Sequence, residues 1–277
     1  MEIIMDIPKN SKEAELIYKD TKERTLSLLF LPPTEKKFDA APIYFLIPGG
    51  GWHSESKNDM YDFSKISAEA LRKRGFAVVS IDYRVCGGGV VMDDILSDCF
   101  NAVSYIAHFA DVLELDKNKF VMSGHSAGGH LALMLSYADK NKYSAGYEFN
   151  DDYKVIAAAA FSPVANIFDL SKHNLRDVSD VFKDTLSSEK MKECSPITHV
   201  SPKCPPTLLC AGTCDYLVFP TSSAQLYDKL RENNVPCEIT YSVGGGHCFE
   251  EVLKELTPSP SFDEIQNIAA KFIYKQL

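Results

Sequence analysis

The stretch Phe120-Val121-Met122-Ser123-Gly124-His125-Ser126-Ala127-Gly128-Gly129-His130 restricts the fold more than any other part of the chain. An apolar run passes into Gly-x-Ser-x-Gly and then into the helical run Leu131-Ala132-Leu133-Met134-Leu135. Strand, turn and helix with a serine at the turn is the pattern of a nucleophile elbow. Such a turn holds the serine in a strained backbone conformation, and glycines two residues either side let neighbouring backbone pass without Cβ clashes. A helix that starts just after the serine points its first amides and its positive dipole end at any oxyanion formed there. A plain Gly/Ser linker between a strand and a helix could carry the same residues, so the remainder of the chain has to decide.

Taken in order, Leu16 to Tyr18 and Thr25 to Leu31 read as short strands around the charged turn Lys19 to Glu23. In the second, Leu26, Leu28 and Phe30 alternate with Ser27 and Leu29, which suits a sheet edge. Ile43 to Ile47 is a continuous apolar run, the mark of a strand covered on both faces, and it stops at Pro48-Gly49-Gly50-Gly51-Trp52. A helical pattern with Ile66, Ala70 and Leu71 on one face ends at Gly75, and Phe76 to Ile81 form the next buried strand. Asp93 to Phe109 is an amphipathic helix, and the elbow follows. Val155 to Phe161, Thr207 to Ala211 and Cys237 to Ser242 are further strands; Ser222 to Asn233 and Phe262 to Tyr274 are helices. Apolar strands alternating with helices specify an α/β fold, a parallel sheet with helices on both faces. From Ala165 to Pro206 the residues are mostly polar, with short helical pieces and four prolines near the end. That stretch has too few apolar residues for a core of its own and reads as a lid or cap, 165–206, inserted within a single domain of residues 1–277.

The net charge of −9 argues against a nucleic-acid backbone or an anionic membrane as partner. Met1 to Asn10 show no basic segment followed by a long apolar core, and no apolar run matches the length of a bilayer span. A cytoplasmic location is the expectation. Eight cysteines without a C-x-x-C pair or zinc-finger spacing read as reduced thiols, with neither disulfides nor a metal expected. Homo-oligomerisation is left open.

Serine needs a base in hydrogen-bond contact and a group that orients that base. In a parallel sheet both must come from loops at the C-terminal ends of strands. Two stretches after Ser126 qualify: Leu208 to Asp215, a strand, turn and acid, and Thr240 to His247, a strand, glycine loop and histidine. Ser126, Asp215 and His247 stand in the chain order expected of an α/β-hydrolase sheet. Asp82 precedes the serine and sits beside Tyr83-Arg84, where a salt bridge or turn role fits better. Asp94 and Asp98 lie on a helix and read as solvent-facing or loop-capping. His125 occupies the x position of G-x-S and cannot easily fold back onto Ser126. For the developing oxyanion, the loop Pro48-Gly49-Gly50-Gly51-Trp52 offers unobstructed backbone amides after a strand, and Ala127 offers another. Trp52 stands beside that loop as a surface for stacking a sugar ring or walling an acyl pocket.

With these residues quoted, the chain from Ile43 through His247 resembles the hormone-sensitive-lipase-like esterase group of α/β-hydrolases, in particular small bacterial acetyl-esterase and acetyl-xylan-esterase-like members. The elbow Gly-His-Ser-Ala-Gly-Gly and the G-G-G-W loop carry the resemblance most specifically. It implies an α/β-hydrolase fold, Ser126, Asp215 and His247 as triad, and Gly50, Gly51 and Ala127 as oxyanion amides. It implies a small-molecule ester substrate, with acetylated sugars or xylo-oligosaccharides foremost, and no cofactor. The family loop usually begins with histidine, which braces it; here Pro48 takes that place. Other readings are a formyl-amide hydrolase of the kynurenine formamidase type, a serine exopeptidase, and a ligand-binding module without activity. The complete triad and the lack of a propeller domain disfavour the last two.

Overall fold

The structure, a computed structural model, describes residues 13–277 apart from 55, 144–146 and 148. The Met1 to Asn10 segment, read above for a leader, lies outside the described residues. Eight strands are described: β1 (Ala14–Asp20), β2 (Thr25–Leu31), β3 (Ala41–Ile47), β4 (Ala77–Ile81), β5 (Leu115–His125), β6 (Val155–Phe161), β7 (Thr207–Gly212) and β8 (Cys237–Ser242). They form one sheet in the order β1-β2-β4-β3-β5-β6-β7-β8. The first two strands pair antiparallel, as do β2 and β4, and every later pair is parallel.

The continuous apolar runs explain which strands lie in the middle. All seven residues of β3 are buried, as are all of β4 and β7, because helices cover both sheet faces. Alternation sorts the side chains. Ile43, Phe45 and Ile47 enter one apolar cluster with α3 (Met92–His108), while Tyr44 and Leu46 enter another with α2 (Lys65–Arg72) and α10 (Phe262–Tyr274). A third cluster joins Ala158, Ala160 and Leu209 to Leu226 and Leu230 of α9 (Thr221–Glu232). The expectation that β2 forms a sheet edge is corrected. β1 takes the edge, and Leu26, Leu28 and Phe30 are buried between neighbours on both sides.

Between β6 and β7 the chain forms α6 (Ile167–Ser171), α7 (Leu175–Phe182) and α8 (Ser188–Glu193). Few as they are, their apolar residues do not gather into a separate core. Ile167, Leu170, Val178, Val181, Phe182 and Met191 join the same cluster as Leu131 and Trp52. Lys190 adds an ion pair to Asp93 of α3 at 2.6 Å. Among the described residues no cysteine is joined in a disulfide. Among the described residues no helix is long and apolar enough to cross a membrane.

Candidate active site

β5 runs into Ser126, which has φ 57° and ψ −121°, and α4 (Ala127–Tyr137) starts at the next residue. A positive φ at a non-glycine residue is costly and persists only when its surroundings enforce it. Here the enforcement is visible: the Ser126 amide donates to the Phe161 carbonyl at the end of β6 at 2.8 Å, and the Ser126 carbonyl accepts from the His130 amide at 3.0 Å. Gly124 and Gly128 permit the tight turn. A Cβ on Gly124 would run into the Gly128 backbone, and one on Gly128 into the Ile47 and Pro48 backbone.

Asp215 and His247 come from the loops after β7 and β8, and the two loops are laced together. The Cys214 amide donates to the Gly245 carbonyl at 2.9 Å, and the Gly244 amide to Thr213 Oγ1 at 2.9 Å. His247 Nδ1 lies 2.7 Å from Asp215 Oδ2, with both residues buried. Because a carboxylate only accepts, Nδ1 carries the proton and Nε2 is the unprotonated nitrogen of the neutral ring. Asp215 is itself held: its Oδ1 accepts the Leu217 amide at 2.9 Å and the Val218 amide at 3.0 Å. The His247 carbonyl accepts from His125 Nε2 and from Ser162 Oγ, both at 2.9 Å. Burial, reinforced by the neighbouring His247, pushes the His125 imidazole down to about 4, so it is neutral near pH 7.

The glycine loop after β3 turns beside the elbow. Gly50 and Gly51 have φ of 100° and 61°, and a Cβ on Gly50 would collide with the Ser54 backbone. The Gly50 carbonyl closes the turn by accepting the His53 and Ser54 amides, each at 3.1 Å. Pro48 stands where the resemblance leads one to expect a bracing histidine, and the loop is held from the neighbouring strand end. The buried Tyr83 hydroxyl, from the end of β4, donates to the Pro48 carbonyl at 2.8 Å, with the Gly49 carbonyl at 3.2 Å. Sequence reasoning passed over Tyr83. Its position directly after a buried strand, at the rim where the other loops converge, was the available signal. Ala127 is the first helical residue, and first-turn amides have no acceptor within the helix.

Trp52 does not fit the expectation of a substrate platform. Its side chain is 1% exposed, and its Nε1 donates to His130 Nδ1 at 3.3 Å. The apolar indole is more stable inside the core than on the pocket wall. His130 Nε2 in turn donates to the Cys194 carbonyl at the end of α8 at 2.6 Å, so the indole is tied to 165–206 and not to a ligand space. Asp98 is fully buried and not solvent-facing, but it caps the loop after β4: its Oδ2 accepts the Arg84 amide at 3.1 Å, and its carboxylate receives Arg84 Nε at 2.7 Å and Lys19 Nζ at 2.7 Å. Asp94 caps α3 by accepting the Val91 amide at 3.0 Å, and Asp82 pairs with Lys57 at 3.2 Å, both as read from the sequence. A recess of about 250 Å³ lies against the glycine loop, walled by Gly50, Ser54, Ser56, Asp59, Phe63 and His125.

Comparison with known proteins adds the family. The BD-FAE family model matches residues 29–230. The chain belongs to the BD-FAE family. Among curated relatives, this BD-FAE member is 24% identical over 232 residues to a probable isoprenylcysteine alpha-carbonyl methylesterase of Arabidopsis thaliana, covering 79% of this chain and 53% of that protein. It is 26% identical over 205 residues to the probable carboxylic ester hydrolase LipM of Mycobacterium tuberculosis, covering 69% of this chain and 45% of that protein. The chain thus spans about half the length of the curated relatives it matches. Esterase 2 of Thermogutta terrifontis, solved with propionate bound, superposes with a TM-score of 0.77 at 24% identity, over 99% of this chain and 97% of that one. The BD-FAE member therefore has the α/β-hydrolase fold, and the likeness to the hormone-sensitive-lipase-like esterase group drawn from its motifs agrees with these relatives.

Proposed function

We propose that this protein is a serine ester hydrolase working through Ser126, His247 and Asp215. The observation that carries the reading is the 2.7 Å contact of His247 Nδ1 with Asp215 Oδ2, on loops beside a strained Ser126. With Nδ1 protonated, His247 Nε2 takes the Ser126 hydroxyl proton as Oγ attacks the ester carbonyl. The negative charge on the carbonyl oxygen is met by the amides of Gly50, Gly51 and Ala127. His247 then gives the proton to the departing alcohol. Water enters, loses a proton to Nε2 and attacks the acyl-enzyme, and Ser126 is regenerated.

The substrate proposed is a short-chain acyl ester, an acetylated sugar or xylo-oligosaccharide foremost. Residues 165–206, taken as a lid, are built from helices of five to eight residues in which Ile167, Leu170, Val178, Val181, Phe182 and Met191 are spent on the core and Phe168 is exposed. Such a lid offers little apolar length for a long acyl chain. The recess beside Gly50 is small and carries the Ser54, Ser56 and Asp59 side chains, hydrogen-bonding groups suited to a hydroxylated alcohol. A series of 4-nitrophenyl esters from acetate to octanoate, followed by acetylated xylo-oligosaccharides, tests both parts. Turnover is expected to be highest for acetate and to fall with chain length. Ser126→Ala is expected to abolish it with folding intact; turnover at the parent rate in that variant overturns the assignment.

A further inference from the structure

A second nucleophile and base meet outside the Ser126 site. Cys86 Sγ lies 2.6 Å from His53 Nδ1 in the half-exposed loop that follows β4. A thiol within hydrogen-bond reach of an imidazole is the arrangement that converts a weak nucleophile into a reactive one. We propose that Cys86 and His53 form a thiol-modification site that exchanges with small disulfides and thereby acts on the oxyanion loop.

Three features support this. The next residues, Gly87, Gly88 and Gly89, are exposed, and a Cβ added to any of them would meet nothing within 4 Å, so an incoming disulfide has room beside the thiol. Five of the other cysteines are placed less well. Cys99, Cys194, Cys204 and Cys210 are buried. Cys248 is exposed, but partial burial of its thiol and the nearby Glu250 and Asp215 carboxylates push it up. His125 Nε2, 3.9 Å from its sulfur, has its proton committed to the His247 carbonyl. Finally, the pair is wired to the loop that offers Gly50 and Gly51. The Cys86 amide donates to the Trp52 carbonyl at 2.7 Å, and the His53 amide to the Gly50 carbonyl at 3.1 Å.

The step balances without an added oxidant. Cys86 passes its proton to His53 Nδ1, and the thiolate attacks one sulfur of R–S–S–R. The Cys86–sulfur bond forms as the original S–S bond breaks, and the departing thiolate takes the proton from His53, giving a mixed disulfide and R–SH. A group added at Cys86 crowds His53 and strains the turn that presents the Gly50 and Gly51 amides. This regulatory consequence rests on the esterase reading; the thiol chemistry does not.

The test uses the whole protein with 5,5′-dithiobis(2-nitrobenzoate) and oxidised glutathione, the modified peptides being identified by mass spectrometry. Cys86 is expected to be the first cysteine modified, and His53→Gln to slow its modification by about tenfold or more. Ser126→Ala should be modified at the parent rate, which separates this chemistry from ester hydrolysis. In the parent, modification should lower 4-nitrophenyl acetate turnover and dithiothreitol should restore it, while Cys86→Ser keeps its activity after the same treatment. Faster modification of Cys214 or Cys248, or an unchanged rate in His53→Gln, overturns the site. Full activity of the Cys86-modified enzyme overturns its action on the loop.

Discussion

The carbonyl oxygen of His247 accepts the Nε2–H of His125, the residue immediately before Ser126, at 2.9 Å. The residue proposed as base and the residue proposed as nucleophile are thus fastened through the side chain at the x position of G-x-S-x-G. The His125 ring is clamped in turn by Phe63, with centroids 4.6 Å apart. His125 is not the imidazole paired with Asp215, but it fixes where that imidazole stands.

Replacing His125 by Phe keeps an aromatic ring against Phe63 and deletes the donor. Ser162 Oγ still reaches the His247 carbonyl, so the loop is loosened and not released. One neutral hydrogen bond is worth about 1 kcal/mol, and kcat for 4-nitrophenyl acetate is expected to fall about fivefold with KM little changed. Parent-level kcat in His125→Phe would show that the anchor has no influence on the base.

Tyr83→Phe removes the hydroxyl that braces Pro48 and Gly49 while leaving the ring in the core. The expected cost is about 1 kcal/mol of stability, read from a urea unfolding midpoint. The oxyanion amides lose a support and not themselves, so kcat should fall severalfold with KM near the parent value. A destabilised protein with unchanged kcat would leave Tyr83 a purely structural residue.

Asp215→Asn tests tautomer control. Oδ1 is held by the Leu217 and Val218 amides, so the new amide nitrogen must take the Oδ2 position facing His247. An NH2 group there donates to Nδ1, which forces the imidazole proton onto Nε2, where it cannot accept from Ser126. The loss of kcat should be on the order of 10⁴-fold, with little change in fold, as the serine-protease precedent for this substitution indicates. Steady-state rates with circular dichroism as a folding control measure it, and a loss under tenfold would remove Asp215 from its role.

Much of this arrangement was legible in the chain because it depends on local signals. Thr25–Leu31, Val155–Phe161, Cys237–Ser242 and Phe262–Tyr274 have the bounds that apolar periodicity and turn residues set. The acid and the histidine could be picked because each follows a strand across a short glycine-containing turn. What escaped depends on contacts between residues far apart in sequence. Whether the alternating β2 is an edge depends on the antiparallel β1, whose pairing with it covers the strand. Trp52 beside a glycine loop looks like a ligand platform until His130, 78 residues later, supplies a buried acceptor for its indole N–H. That Asp98 caps its loop from the interior and not from solvent depends on Arg84 and Lys19, which neutralise it there, the condition under which a charge can be buried.

His130 gives the last prediction. Burial pushes its imidazole from the ordinary 6.5 down to about 4, and it is neutral in the fold, accepting from Trp52 and donating to Cys194. Above pH 6.5 the ring is neutral in both folded and unfolded chains, and its contribution to stability is complete. Between 6.5 and about 4 the unfolded chain takes up a proton that the folded one refuses, so stability falls with falling pH by up to about 1.4 kcal/mol per pH unit for this one group. Below about 4 both states are protonated and the slope from His130 vanishes. His130→Gln retains an acceptor and a donor but no titration. It should lose stability at pH 7 and then close part of the gap to the parent as the pH is lowered to 4.5, His125 and the carboxylates being common to both proteins. Urea unfolding at the two pH values measures the gap; a gap of constant size would mean that His130 is not held neutral by the fold.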